Sequence, residues 1–319
     1  MRRAGMLTVV LCGLLVWQAC AVRRQAEPQA AAQAPPAAFE MAEVQNPAEY
    51  AGEVRAEAAV KLAAVPDGAG PYMVGEPIFV TLTFTGARAE PVKLDLGFLG
   101  REALVVTCEG RTGYSRHLDT GGGLSAVYET DLQPGQTYTR RLLLNEWISF
   151  RAPGTYTVGL TYDSDHGHRG ATAGVRAACD LPLTIVAKDP ARLSQVLGGL
   201  HQSLAAQGPG DEQTLTTLAL CYSGEDEALP FLRNLAEGGL DSRTQIEMFR
   251  GIRRVGTLAA LDLLEDLWQS PDKATAQYAM VEIGLIAEGA TDPAVRARAE
   301  RLKQAAPPDF HFIEPTVGD

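Results

Sequence analysis

Between Val54 and Val186 apolar and polar residues alternate, and from Leu193 onward apolar residues fall three and four apart. Alternation puts one side of an extended segment on a core, whereas three-and-four spacing puts one stripe of a helix there. In Glu76–Thr85, Ile78, Val80, Leu82 and Phe84 share one face, with Thr81, Thr83, Thr85 and Phe79 on the other. Gly154–Tyr162 repeats the pattern with Tyr156, Val158, Leu160 and Tyr162. Further strands are predicted at Val54–Val65, Pro91–Leu96, Ala103–Glu109, Ser125–Asp131, Tyr138–Asn145 and Ala178–Val186. About eight short strands separated by Gly, Pro and Asp turns predict an antiparallel β-sandwich. In Leu132–Gln136, Pro134 and Gly135 stand where a type II turn wants them.

Asp189-Pro190 opens a helix whose apolar stripe is Leu193, Val196, Leu197, Leu200 and Leu204. A repeat follows. Leu229, Leu232 and Leu235 recur as Leu261, Leu264 and Leu267, each offset by 32 residues, and Gly224 recurs as Gly256 at the same offset. The glycines would mark the turn before the second helix of each pair. A weaker third copy runs from Gln277 to Leu302, with Val295 and Leu302 lying 34 and 35 residues past Leu261 and Leu267. Three helical hairpins after a leading helix are expected, with a plain helical bundle as the alternative.

Two resemblances rest on these residues. The run from Leu132 to Leu160, with its Pro-Gly turn, long strand, Asn145-Glu146-Trp147 corner and Gly154-Thr155-Tyr156 strand, resembles the end of immunoglobulin-like domains of exported bacterial proteins. Pro153–Tyr156 resembles their tyrosine corner, which implies a phenol bonded to upstream backbone. The paired helices resemble short bacterial HEAT-type repeats, and no tetratricopeptide pattern recurs. Together they imply a multidomain β + α chain, an Ig-like antiparallel β-sandwich followed by an α-helical HEAT-like array. They imply a fold and not an activity.

The N-terminus speaks of export. Arg2 and Arg3 precede an apolar core, Leu7 to Trp17, as in a secretory signal peptide. Val16–Cys20 resembles a lipoprotein signal, which implies Cys20 as the lipidated first residue of a mature chain facing the periplasm or the cell exterior. Cleavage after Ala21, leaving a soluble periplasmic or secreted protein, and an uncleaved anchor over Ala4–Val22 are the alternatives. Residues 21–50, rich in Ala, Pro, Gln and Glu, predict a disordered tether. The expected divisions are thus 1–20 signal, 21–50 tether, 51–188 sandwich, 189–305 helical array and 306–319 extended tail. In that tail, Pro307–Pro315 is a short apolar island.

Composition adds a charge asymmetry. The 319 residues carry 28 Lys+Arg against 39 Asp+Glu, a net −11. Residues 51–188 contribute −2, residues 189–305 contribute −6 and the tail −3. Such a balance argues against nucleic-acid binding, which needs a basic face. It points any charged partner, expected to be basic, toward the C-terminal half.

Candidate chemistry is sparse. Asp163, Asp165, His166 and His168 group two carboxylates and two imidazoles in six residues, a set that could hold zinc or another transition metal, with a solvated hairpin tip as the plainer alternative. His117 with Asp119 is a weaker pair, and Gly121–Gly123 lacks the context of a phosphate loop. Cys108 and Cys179, 71 residues apart, are a possible disulfide that would close a long loop, or else two buried thiols on separate strands. Cys221 reads as a small buried hydrophobe. Arg250, Arg253 and Arg254 share one helix and could pair with acidic neighbours, with a solvated face as the plainer reading. No nucleophile elbow, zinc-protease helix or dinucleotide fingerprint occurs, so no catalytic residue and no cofactor is expected. The leading expectation is a non-enzymatic, lipid-anchored interaction or scaffold protein of the bacterial cell envelope, meeting another envelope or secreted protein through its helical half. An inhibitor or a ligand- or carbohydrate-binding module working through the sandwich loops is the alternative. An envelope hydrolase with a loop-built site stands behind both.

Overall fold

The alternating segments form strands in a computed structural model, which describes residues 38–41, 59–98, 103–113, 127–164, 175–207, 210–238 and 242–306. All of these belong to one unit that begins at Ala38. The strands are β1 (Phe39–Met41), β2 (Val60–Pro66), β3 (Tyr72–Met73), β4 (Phe79–Gly86), β5 (Val92–Phe98), β6 (Leu104–Cys108), β7 (Arg111–Gly113), β8 (Val127–Leu132), β9 (Thr137–Leu143), β10 (Ile148–Phe150), β11 (Gly154–Asp163) and β12 (Arg176–Val186). They pair as β3-β12-β11-β6-β7, β2-β4-β9, β5-β8 and β1-β10. Every pairing is antiparallel except β3 with β12.

The predicted faces are the buried ones. Val80, Leu82 and Phe84 of β4 and Tyr156, Val158, Leu160 and Tyr162 of β11 enter one core with Leu94, Leu104, Trp147 and Leu181. The Phe84 and Tyr162 rings meet edge-on, 5.5 Å between centroids. Polar corners tie into backbone. Tyr156 Oη donates to Ala152 O at 2.9 Å, as the corner motif implied. At Gln133–Gln136 the expected turn closes, with Gly135 at φ 74° and Gln136 N donating to Gln133 O at 2.9 Å. Glycine is needed there because a side chain resists positive φ.

One boundary changes. The span 21–50 was expected to be a tether throughout, but Phe39–Met41 pairs with β10 in register Phe39↔Phe150. Phe39 and Met41 are buried on either side of exposed Glu40, so two apolar side chains at strand spacing dock what the surrounding composition would leave loose.

Seven helices follow: α1 (Pro190–Ala206), α2 (Asp211–Tyr222), α3 (Leu229–Glu237), α4 (Ser242–Val255), α5 (Leu258–Trp268), α6 (Lys273–Gly289) and α7 (Pro293–Gln304). Their starts are written locally. Asp189, Thr257, Asp272 and Asp292 accept backbone N–H bonds at the first turns of α1, α5, α6 and α7. Gly224 and Gly256 adopt φ of 69° and 64° between the helices of successive hairpins. Helices α2, α4 and α6 pack side by side as one layer, and α3, α5 and α7 as a second. The α2–α4 crossing is close: a Cβ on Gly251 would lie 2.9 Å from Cys221 Cα.

The β region and the helices share a core. Met73 and Leu143 are buried among helical leucines, with Phe79 and Val186 packed against them. Ion pairs rim this seam: Arg140–Asp211 at 2.8 Å, Arg141–Glu212 at 2.6 Å and Lys188–Glu225 at 2.9 Å. Ser223 Oγ donates to Gly75 O at 2.9 Å, and Gly75 at φ 81° lies where a Cβ would overlap Glu225. Among the described residues no helix is long and apolar enough to cross a membrane.

Candidate functional site

Of the predicted metal set only Asp163 lies among the described residues; Asp165, His166 and His168 lie outside them, as do Cys20, His117 and Asp119. Asp163 ends β11 with its carboxylate 2.7 Å from the Arg176 guanidinium, across the β11–β12 ladder. It is buried, so this ion pair fixes it as a ladder end. No group of three or more His, Cys, Asp or Glu that could hold a metal occurs among the described residues.

Cys108 and Cys179 are free thiols on β6 and β12, and β11 runs between them, with Val158 beside Cys108 and Leu160 beside Cys179. Two strand spacings separate their backbones by about 10 Å, beyond the ~7 Å between Cα atoms that a disulfide can span. Burial pushes the Cys108 thiol up to about 11 and Cys221 to about 12, and raises Cys179 as well. All three directions disfavour the nucleophilic thiolate.

The predicted solvated arginine face is instead an ion network between helices. Glu247 is fully buried on α4 and accepts from Arg250 at 2.8 Å and Arg254 at 3.2 Å. The Arg254 guanidinium lies 3.9 Å from the centroid of the Tyr222 ring on α2. Arg253 bonds Glu282 on α6, whose carboxyl is held above its usual range because burial outweighs the nearby guanidinium. Arg250 and Arg254 meet Glu247 three and seven residues back on the same helix, while Arg253 meets Glu282, and Arg254 meets the Tyr222 ring, on neighbouring helices that helix periodicity does not display. The network joins α2, α4 and α6 and has a structural role.

What the sequence left unseen is a surface cleft of about 550 Å³ between α3 and α5. Leu229, Pro230, Ala259 and Leu263 form its apolar lining, and Asp226 and Asp262 belong to its walls. Arg233 lines it too, with its guanidinium 2.6 Å from Asp266. Asp226 accepts from the Thr257 hydroxyl at 2.6 Å, while Asp262 is exposed. The outer helices are cross-linked by pairs at one sequence separation: Arg233 with Asp266 and Arg298 with Glu265 are both 33 apart. That spacing, close to the 32-residue repeat, was the signal from which this layer could have been read.

A second cleft, about 390 Å³, lies in the β region against Gly68–Tyr72 and Pro182–Thr184. Its aromatic, Tyr72, is buried and its hydroxyl donates to Gly68 O at 3.1 Å, so no free aromatic face is offered there.

The chain matches no protein-family model and no curated protein.

Proposed function

We propose that this protein is an exported, lipid-anchored interaction protein of the bacterial cell envelope, non-enzymatic, with an Ig-like β-sandwich supporting a HEAT-like array that binds another protein. The observation that carries the reading is the open cleft between α3 and α5, on stacked hairpins that are themselves braced against the β region. Stacked hairpins present extended surfaces made of many equivalent helices, which suits protein recognition. The Ig-like assignment draws support from the Tyr156 bond to Ala152 and from buried Trp147. The HEAT-like assignment draws support from three successive hairpins, the first two turning through equivalent left-handed glycines, Gly224 and Gly256. Thiols held in their protonated form fit a non-catalytic role.

The test is affinity capture from detergent-solubilised envelopes with the anchored full chain, against a chain in which Cys20 is replaced by Ser. One partner recovered in stoichiometric amount supports the reading. Recovery of none overturns it. For the anchor, mass spectrometry of the mature N-terminus is expected to find diacylglycerol on Cys20, and a free Val22 terminus would refute it.

A further inference from the structure

The array contains two successive grooves between outer helices, and they are filled differently. In the α5–α7 groove, Arg298 reaches from α7 to Glu265 and to Asp262, 3.8 Å from the latter, and keeps only 30% of its side chain exposed. Its aliphatic stem covers the groove while its guanidinium satisfies the carboxylates. In the α3–α5 groove the bridging pair is Arg233–Asp266, toward the C-terminal end of α5. Arg233 and Asn234 also line the cleft, but the Arg233 guanidinium is held by Asp266, and beside Pro230 and Ala259 the cleft stays open. Its chemistry otherwise matches: an apolar floor, Leu229 and Leu263, beside carboxylates. Asp226, Asp262, Glu265 and Asp266 set four negative charges against Arg233 and Arg298, which leaves two negative charges over.

We propose that the α3–α5 cleft accepts an arginine or lysine side chain from a basic segment of a partner protein, its stem on Leu229 and Leu263 and its cation between Asp226 and Asp262. The proposal deepens the interaction reading and rests on it. The occupant is a basic segment because, on the next pair of outer helices, the Arg298 guanidinium of α7 already rests on carboxylates of the same helix, α5. An apolar segment alone would leave the rim charges facing low-dielectric surface, which is unfavourable. An acidic one would add repulsion.

A random peptide library displayed on phage and panned against the full chain tests this. Selected sequences are expected to be enriched in Arg or Lys next to an apolar residue. A synthetic representative, followed by fluorescence polarisation, should bind roughly 5-fold more weakly to Asp262→Asn, and more weakly still as salt is raised. Ala259→Arg, at an exposed helix position, should fill the cleft from within and abolish binding without lowering the melting temperature. Selected peptides without basic residues, binding indifferent to Ala259→Arg, or no enrichment at all would each overturn the proposal. If the envelope partner is still captured by Ala259→Arg, this inference fails while the interaction reading stands. If the wild-type chain captures no partner, the interaction reading itself has failed.

Discussion

The two regions differ in what their buried polar side chains tie together. In the β region Asp95, Glu146 and Asp163 are buried, and the side chains at the corners, Asn145, Trp147 and Tyr162, bond to backbone. Asn145 accepts from Ile78 N at 2.7 Å and donates to Glu76 O at 3.2 Å, Trp147 Nε1 donates to Leu104 O, and Tyr162 Oη exchanges bonds with Asp95 N and O. In the helical region the buried hydroxyls of Thr216, Thr217 and Ser223 also bond to backbone, but buried carboxylates bond to arginines, with Glu247 between Arg250 and Arg254, and Glu282 on Arg253. The cause lies in the backbone. Strands that end, bend or change sheet leave N–H and C=O groups needing partners, and neutral side chains supply them. Helices satisfy their own interior backbone N–H groups, so a carboxylate buried among them finds its donors on side chains, here arginines. One region is held at its corners and the other across its layers.

That contrast can be broken by substitution. The largest effect is expected at Glu247. Its change to Ala leaves two guanidinium groups facing each other, with Arg254 held beneath Tyr222, and should cost about 3–5 kcal/mol in urea unfolding. A loss below ~1 kcal/mol would show that the helical layer does not depend on its charges. Asn145→Ala comes next, because it strands the buried Ile78 N–H; about 1–3 kcal/mol is expected, and a neutral change would remove the corner from the account.

The smallest change is expected at Glu282, where the sign matters more than the size. Burial holds its carboxyl above the usual range. The unfolded chain therefore loses this proton first. The associated stability is present in full below the unfolded pKa of about 4.3 and is lost as pH rises through the folded value. Glu282→Gln removes that loss, so the variant should gain on the wild type as pH is raised from acid to neutral in parallel denaturant titrations. A variant that instead falls behind would mean that the pairing with Arg253 outweighs burial.

The same contrast explains what could be read from the chain. The eight longer β strands, the inward faces of β4 and β11, the Pro134-Gly135 turn and the Tyr156 corner were legible because each is set by residues a few positions apart, whereas the two- and three-residue strands β3, β7 and β10 were not. Helix starts at Asp189 and glycine turns at 224 and 256 were legible for the same reason. Strand β1 was not, because two apolar residues in an Ala/Pro-rich run become a strand only when β10 stands opposite. The arginines of α4 were misjudged because Glu282 lies 29 residues from Arg253 on another helix. Cys108 and Cys179 could not be placed without knowing that β11 separates them. The α3–α5 cleft escaped notice because it is a gap left by small residues, Pro230 and Ala259, and not a motif.

The account's central claim is that the helical region meets the partner while the β region holds it in place. Zero-length carbodiimide coupling of the captured complex, mapped by mass spectrometry, tests it most directly, since it joins carboxylates only to amines in contact. The expected products link partner lysines to Asp226, Asp262 or their neighbours on α3 and α5. Products confined to carboxylates of the β region would contradict it and would move the interaction to that region.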